Sequence, residues 1–253
     1  MLPLFKSDYS IGKSILTVDQ ESSEGGPRSI FQIAQDNDLD QVILVEDSLT
    51  GFLKSQKNAS DLGIDLIFGL RILFCDDLSK ESDVHKIIIF AKNSQGCRLL
   101  NQIYSHAFTE GGGVLDSNFL KDIWEEANLK LCIPFYDSFI FNNLMSFGTC
   151  ILDAGFTKPI FFIEYNDLPF DEIVGTKVKE YCECNKHESI PVKSIYYNKR
   201  SDFAAYQTYK CICSRSSFGR SSSLDKPNLD HCSSKEFSFE SWLERYGHKK
   251  AHD

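Results

Sequence analysis

Two Cys-x-Cys pairs, each followed by a histidine, have residue types that zinc binds in proteins. They are Cys182 and Cys184 with His187, and Cys211 and Cys213 with His231 and Cys232. Both pairs fall in segments predicted to be helical, where positions i and i+2 do not face the same way. The spacing therefore favours free cysteines that act as small apolar side chains over a zinc site.

Other side chains could move a proton or contact phosphate. Glu46 and Asp47 end a predicted strand and could act as acid and base, although a pair of solvated loop carboxylates is the commoner structure. Residues 216–223 (SSFGRSSS) could contact phosphate, but they lack the full phosphate-binding pattern, which favours an ordinary loop. His85 is expected at a strand edge, and His106 is expected to be partly buried on a helix.

Composition bounds the class of protein. The chain has 253 residues, of which 42% are hydrophobic and 25% charged, and this excludes wholesale disorder. A net charge of -9 does not indicate DNA binding, although a local basic patch could still contact DNA. No apolar run approaches the roughly 20 residues that span a bilayer, and no secretory signal is recognisable. With an odd number of cysteines, nine, reduced thiols in the cytoplasm are expected.

Short apolar runs alternate with amphipathic stretches, which predicts βα units. After a first strand at 2–6, the predicted strands are 41–45, 66–68, 86–91, 130–134, 159–165 and 192–197. The predicted helices are 28–36, 50–62, 94–108, 117–128, 137–147, 171–185 and 202–213. Asn93 or Ser94 is expected to cap one helix, and Ser117 or Asn118 another. The pattern predicts an α/β barrel or a wound sheet, with active-site loops at the carboxyl ends of the strands.

Seven short blocks occur in a particular order along the chain. They are 7–10 (SDYS), 48–51 (SLTG), 63–69 (GIDLIFG), 88–100 (IIFAKNSQGCRLL), 162–164 (FIE), 201–206 (SDFAAY) and 224–227 (LDKP). In this order they resemble the PHP (polymerase and histidinol phosphatase) domain of DNA polymerase III alpha subunits of bacterial or phage type. The resemblance implies a single-domain distorted (β/α)7 barrel over residues 1–213. Residues 214–253 would add a loop and a C-terminal helix that close the same domain.

Active members of that family hold a metal cluster at the mouth of the barrel, and the corresponding positions here carry other residue types. The resemblance places them at Leu4, Lys6, Val45, Glu46, Arg71, Ser194 and Tyr196. Only Glu46 could still bind a metal, and a cluster needs several ligands, so no cofactor and no catalytic residue are expected. Lys6 and Arg71 could instead bind an anion there. The neighbouring Asp8, Tyr9 and Ser10 are expected to hold the first turn through side-chain-to-backbone hydrogen bonds.

The resemblance therefore implies a degenerate domain that acts as a structural or interaction module in DNA replication. The chain leaves no room for a polymerase palm, so the expected partner is a polymerase body or another replisome protein. An alternative is a metal-dependent phosphoesterase or 3′–5′ exonuclease that holds Mn or Zn with rearranged ligands. A third interpretation is a binder of phosphorylated ligands at Lys6 and Arg71.

Overall fold

The structure is a computed structural model that describes residues 1–79, 83–146, 150, 152, 154–213 and 234–246. The blocks at 216–223 and 224–227, together with His231 and Cys232, lie outside the described residues. Predictions made for those segments therefore stay predictions.

The described residues form strands and helices that alternate along most of the chain. The strands are β1 (Leu2–Phe5), β2 (Leu16–Thr17), β3 (Arg28–Ser29), β4 (Gln41–Glu46), β5 (Asp65–Cys75), β6 (His85–Ala91), β7 (Val114–Asp116), β8 (Leu129–Ile133), β9 (Ile160–Ile163) and β10 (Glu188–Ile195). The helices are α1 (Ile30–Asp36), α2 (Phe52–Leu62), α3 (Ser94–Thr109), α4 (Ser117–Ile123), α5 (Phe139–Ser146), α6 (Asp171–Asn185), α7 (Phe203–Cys213) and α8 (Phe239–Tyr246), with a short 3-10 turn at Arg200–Asp202 before α7.

Seven strands close into a barrel in the order β4-β1-β10-β9-β8-β6-β5, and β5 pairs back onto β4. This last pairing runs in parallel from Gln41 opposite Asp65 to Glu46 opposite Leu70. It decides between the two predicted architectures, because a wound sheet would leave both edge strands open. The predicted α/β barrel is thus confirmed at the level of its class.

One strand of the barrel runs against the others. β6 is antiparallel to both of its neighbours, β5 and β8, while the remaining pairs in the barrel are parallel. The prediction of regular βα units is therefore wrong between β5 and β6, which form a hairpin with no helix in the described part of their connection. Short strands β2, β3 and β7 were too brief to give a periodic signal.

Successive side chains of each strand point to opposite faces of the sheet, so the barrel has two apolar cores, one inside and one outside. The interior of the barrel is filled by Leu4, Ile43, Val45, Ile88, Phe90, Cys132, Phe162 and Val192. The outward faces of the same strands pack against the helices in a larger core. Gly69 leaves room in the interior for the Phe90 ring, because a Cβ at position 69 would lie 2.6 Å from that ring.

Several predicted boundaries are corrected by tertiary contacts. The strand predicted at 66–68 is the eleven-residue β5, which pairs with β4, β6 and β7 in turn. The helix predicted at 117–128 is α4, which ends at Ile123. Its cap is Asp116, whose side chain accepts a hydrogen bond from the Phe119 amide at 2.7 Å, so the predicted caps Ser117 and Asn118 are wrong. Asn93 does cap α3, as predicted.

The C-terminal helix that the resemblance implies is present as α8 and packs beside β1 and β10. The indole nitrogen of Trp242 donates to the carbonyl of Met1 at 3.1 Å, and the Tyr196 amide donates to the Phe237 carbonyl at 2.9 Å. Glu236 strengthens this attachment, because its carboxylate lies 2.8 Å from Arg245 and 3.3 Å from Arg200.

Candidate functional site

Six of the seven positions that the resemblance assigns to the barrel mouth line one small cavity at the carboxyl ends of the parallel strands. They are Leu4, Lys6, Val45, Arg71, Ser194 and Tyr196. The cavity has a volume of about 30 Å³, which is room for one or two water molecules. We call this region the barrel mouth. The seventh position, Glu46, points the other way, because Val45 next to it faces the interior.

Lys6 follows β1 and is almost fully buried, with 3% of its surface exposed. Its ammonium nitrogen lies 2.8 Å from the carboxylate of Asp47, which follows β4. Burial lowers the pKa of Lys6, and Asp47 opposes that shift. Burial alone would raise the pKa of Asp47, but the charges of Lys6, Arg71 and Lys86 outweigh it and hold this pKa below its ordinary value. The two side chains therefore form a charged pair at the mouth.

Arg71 comes from the middle of β5 and has a carboxylate partner of its own. One terminal nitrogen donates to Asp137 at 2.9 Å and to the carbonyl of Tyr136 at 3.1 Å. Asp137 reaches it from the turn after β8, where its φ of 61° is one that aspartate tolerates better than most residues. Burial opposes the charge of Arg71, but Asp137 and Asp47 outweigh it and raise its pKa.

Glu46 is fully buried and its carboxylate joins β4 to the turn after β1. One oxygen accepts from the Ser7 amide at 2.8 Å, and the other accepts from the Ser10 hydroxyl. The Ser10 oxygen in turn accepts from the Asp47 amide at 2.9 Å. Burial raises the pKa of Glu46, while Lys6 and these hydrogen bonds limit the rise. Glu46 thus has the geometry of a structural carboxylate.

The expected role of the first turn is confirmed in part. Ser10 does hold the turn, through Glu46 and the Asp47 backbone. The Oδ1 atom of Asp8 is buried without a hydrogen bond to any described residue, while burial raises the pKa of this carboxyl and backbone hydrogen bonds from Asp8 and Tyr9 oppose the rise. The Tyr9 amide also donates to the Ser7 hydroxyl at 3.3 Å, so serine and aspartate side chains both bond the backbone of this segment.

Glu164, which follows β9, is a mouth residue that sequence reasoning missed. Its carboxylate accepts hydrogen bonds from the Ser194 amide at 2.9 Å, the Ser194 hydroxyl at 2.8 Å and the Asn166 side chain at 3.0 Å. Burial raises its pKa, and those hydrogen bonds oppose the rise. The alternation from Phe162 to Glu164 could have revealed it, since both side chains line the cavity.

Ser194 and Tyr196, the last two positions assigned by the resemblance, are held by hydrogen bonds and ring packing. Ser194 is the partner of Glu164, as described above. The ring of Tyr196 stacks on Phe237 with centroids 5.3 Å apart, and it faces Tyr206 at 5.9 Å. Burial raises the pKa of Tyr196 above its ordinary value, so this phenol stays neutral.

A third cation, Lys86, stands at the mouth and was also missed. It is half-buried at the start of β6, and burial, followed by the charge of Arg71, lowers its pKa to about 8. Asp47 and Asp137 act in the opposite direction. Among the described residues Lys86 forms no ion pair, since those two carboxylates are bonded to Lys6 and Arg71.

The Cys-x-Cys pairs lie on α6 and α7, as predicted. Cys182 is buried and Cys184 exposed, so the two thiols of that pair face different surroundings. Within the described ranges, no three His, Cys, Asp or Glu side chains are grouped so that they could hold a metal ion.

The two single histidines pack against aromatic rings. His85 is the first residue of β6, as predicted, and it is fully buried between Phe74 and Phe139, with ring centroids 5.4 and 5.7 Å away. Burial lowers its pKa to about 4. His106 stacks on Phe119 at 3.6 Å, which agrees with its expected half-buried position.

Comparison with models of known protein families gives no match, and comparison with curated proteins gives none either. No helix in the described part of the chain is long and apolar enough to cross a membrane. The resemblance read from the seven blocks therefore stays a prediction, which the geometry of the mouth can be used to develop.

Proposed function

We propose that this chain is a catalytically degenerate PHP-like barrel that serves as a structural or interaction module of a DNA polymerase III alpha-type replication protein. Its partner would be the polymerase body or another replisome protein, in a cytoplasmic setting of phage or bacterial type. Support comes from the order of the seven blocks and from a closed seven-strand barrel, which is compatible with the (β/α)7 architecture.

The observation that carries the proposal is the internal neutralisation of the barrel mouth. Lys6 pairs with Asp47, and Arg71 pairs with Asp137. The cavity left between these groups has a volume of only about 30 Å³. A phosphoester substrate with its metal ions would have to displace both ion pairs. The mouth is therefore built as a filled core, and a useful surface must lie elsewhere.

Hydrolysis with rearranged ligands is the alternative, and two buried carboxylates at or beside the mouth, Glu46 and Glu164, are the observation in its favour. Each already accepts hydrogen bonds on both oxygens. Giving up each such bond in a buried site costs about 1–3 kcal/mol. An ion bound there would also face the ammonium of Lys6. These costs favour the structural role.

Co-expression tests the proposal directly. The tagged chain is produced with the polymerase body from the same genome, and the two are followed through affinity and size-exclusion chromatography. We expect a stoichiometric complex that persists in moderate salt. Separate elution of two well-folded proteins, with other replisome proteins also failing to bind, would contradict the proposal.

Metal analysis and a nuclease assay test the alternative on the purified chain. The proposal predicts no stoichiometric Mn or Zn and no release of nucleotides from a 3′ end. Glu46→Gln and Glu164→Gln serve as matched variants, since both keep the side-chain volume. Bound metal together with turnover that either variant abolishes would establish the enzyme instead.

The phosphorylated-ligand interpretation at Lys6 and Arg71 also stays a prediction. Both cations are engaged with carboxylates, so a phosphate group would have to compete with Asp47 and Asp137. Isothermal titration with inorganic phosphate, repeated on Arg71→Met, would decide it. Binding that the variant loses would support an anion site.

A further inference from the structure

The outer helix layer of the barrel has a gap over β5. In a regular βα barrel a helix would follow β5, but here β5 turns back as β6, and α2 and α3 flank the space that is left. Between them runs a groove with a volume of about 350 Å³. We call it the α2/α3 groove. Its apolar lining consists of Leu49, Phe52, Leu53, Phe68, Cys97 and Leu100.

The groove has a firm floor and an exposed apolar edge. Phe52 and Phe68 pack edge to face with ring centroids 5.0 Å apart, which fixes the floor. Leu53 is 78% exposed, more than any other large hydrophobic side chain in the described residues. An exposed leucine at the edge of an apolar groove costs solvation free energy that a partner can recover.

The charged residue that lines the groove is a cation, Arg98, although the whole chain has a net charge of -9. Arg98 lines the groove from α3, and Lys57 lies one turn after Leu53 on α2. Both are exposed, and neither forms an ion pair with a described residue. Lys54, by contrast, is paired with Asp19. Unpaired cations beside an apolar groove fit a partner that has acidic residues next to its apolar ones.

We infer that the α2/α3 groove docks an amphipathic helix of a partner protein, with leucine-like side chains on one face and Asp or Glu beside them. A helix fits because the groove lies where the helix layer of the barrel is interrupted, between two helices and above a strand. The inference rests on the proposed function, because it names the docking surface of an interaction module. Leu53 would enter the apolar face of the partner, and Arg98 and Lys57 would pair with its carboxylates.

Two synthetic peptides test the groove on the full chain. Each is about 15 residues long with the same leucine face, and the polar face is Glu-rich in one and Lys-rich in the other. Binding is measured by fluorescence anisotropy. We expect the acidic peptide to bind about tenfold more tightly, and Leu53→Asp to weaken it by about tenfold or more. Arg98→Glu should reverse the preference between the peptides.

A distant substitution is the matched control. Ile173 on α6 is 58% exposed and lies outside the groove, so Ile173→Asp should leave both affinities unchanged. Circular dichroism and thermal melting show that each variant is folded. Equal affinity for the two peptides, or equal weakening by Leu53→Asp and Ile173→Asp, would overturn the inference.

The same variants separate failure of the groove from failure of the proposed function. If the acidic peptide binds through Leu53 but no replication protein co-purifies, the result supports the docking inference and contradicts the proposed function. If the polymerase body co-purifies equally well with the unmodified chain and with the Leu53→Asp and Arg98→Glu variants, the result supports the proposed function and contradicts the docking inference.

Discussion

The barrel mouth and the α2/α3 groove are both concave, but their side chains differ in burial and in charge pairing. At the mouth, Lys6 and Arg71 are buried and each has a carboxylate of the same chain beside it. At the groove, Leu53 and Arg98 are exposed, and Arg98 has no ion-pair partner among the described residues. A site that satisfies its own charges has little free energy left for a ligand. The difference therefore points to the outer surface, not the mouth, as the place for binding.

The largest expected effect comes from breaking the neutralisation of the mouth. Asp47→Asn leaves the Lys6 ammonium buried without its charge partner, so we expect a loss of about 3 kcal/mol of unfolding free energy. Urea denaturation at neutral pH measures it. The double variant Lys6→Met with Asp47→Asn removes both charges and should regain most of the loss. A single-variant loss below about 1 kcal/mol would mean that the mouth is not stabilised by this pair.

An intermediate effect concerns Lys86, the mouth cation that forms no ion pair with another described residue. Its pKa is about 8 in the folded chain against an ordinary value of 10.5, so the unfolded chain binds more protons between these values. The Lys86 contribution therefore makes the protein more stable as pH rises from 8 to 10.5, and this gain is lost as pH falls through that window. Lys86→Met should remove the Lys86 part of this pH dependence and stabilise the protein by about 1–2 kcal/mol at pH 7, while Lys193, whose pKa burial also lowers to about 8, keeps its own part.

The control for that prediction lies at the groove. Lys57 is an exposed lysine, and Lys57→Met should change the unfolding free energy by no more than about 0.5 kcal/mol at either pH. Unfolding curves at pH 7 and pH 10 for the two variants and the unmodified chain give the comparison. If the unfolding free energy of Lys86→Met changed with pH as strongly as that of the unmodified chain, the charge of Lys86 would not destabilise the folded mouth.

The smallest expected effect on stability is at the groove itself. Leu53→Ser removes an apolar side chain that is 78% exposed, so the unfolding free energy should change by no more than about 0.5 kcal/mol. Its neighbour Phe52, which packs on Phe68, gives the contrast, and Phe52→Ala should cost about 2–3 kcal/mol. A large loss on changing Leu53 would mean that this residue belongs to the core and not to a binding surface.

Local patterns predicted many elements well. The helix predicted at 171–185 is α6 with the same bounds, and α3 begins after the Asn93 cap, because amphipathic spacing and capping residues act over a few positions. The reversal of β6 was not predictable in this way. Parallel and antiparallel strands have similar apolar patterns, and the direction of β6 depends on which strand edges remain free in the barrel.

In the candidate site, too, some residues were predicted from the sequence and others were found only in the structure. Lys6 and Arg71 were expected at the mouth because the resemblance implies that their positions lie there, but their carboxylate partners were not predicted. Asp47 lies 41 positions after Lys6, and Asp137 lies 66 positions after Arg71. Lys86 was missed because a single charged residue at the start of an apolar strand carries no spacing signal, whereas Glu164 had one, its alternation with Phe162. Barrel closure alone brings these groups together.

Residue type is a property of the sequence, so the sequence by itself determined that leucine, lysine, valine, arginine, serine and tyrosine stand at the six positions that line the cavity of the barrel mouth. Only the tertiary structure decided that the cations there are neutralised by the chain's own carboxylates and that an apolar groove lined by the cation Arg98 stays open. The physical reason is distance. Charge pairing and surface exposure depend on which segments, distant in sequence, come into contact. The closed barrel with its one reversed strand determines those contacts.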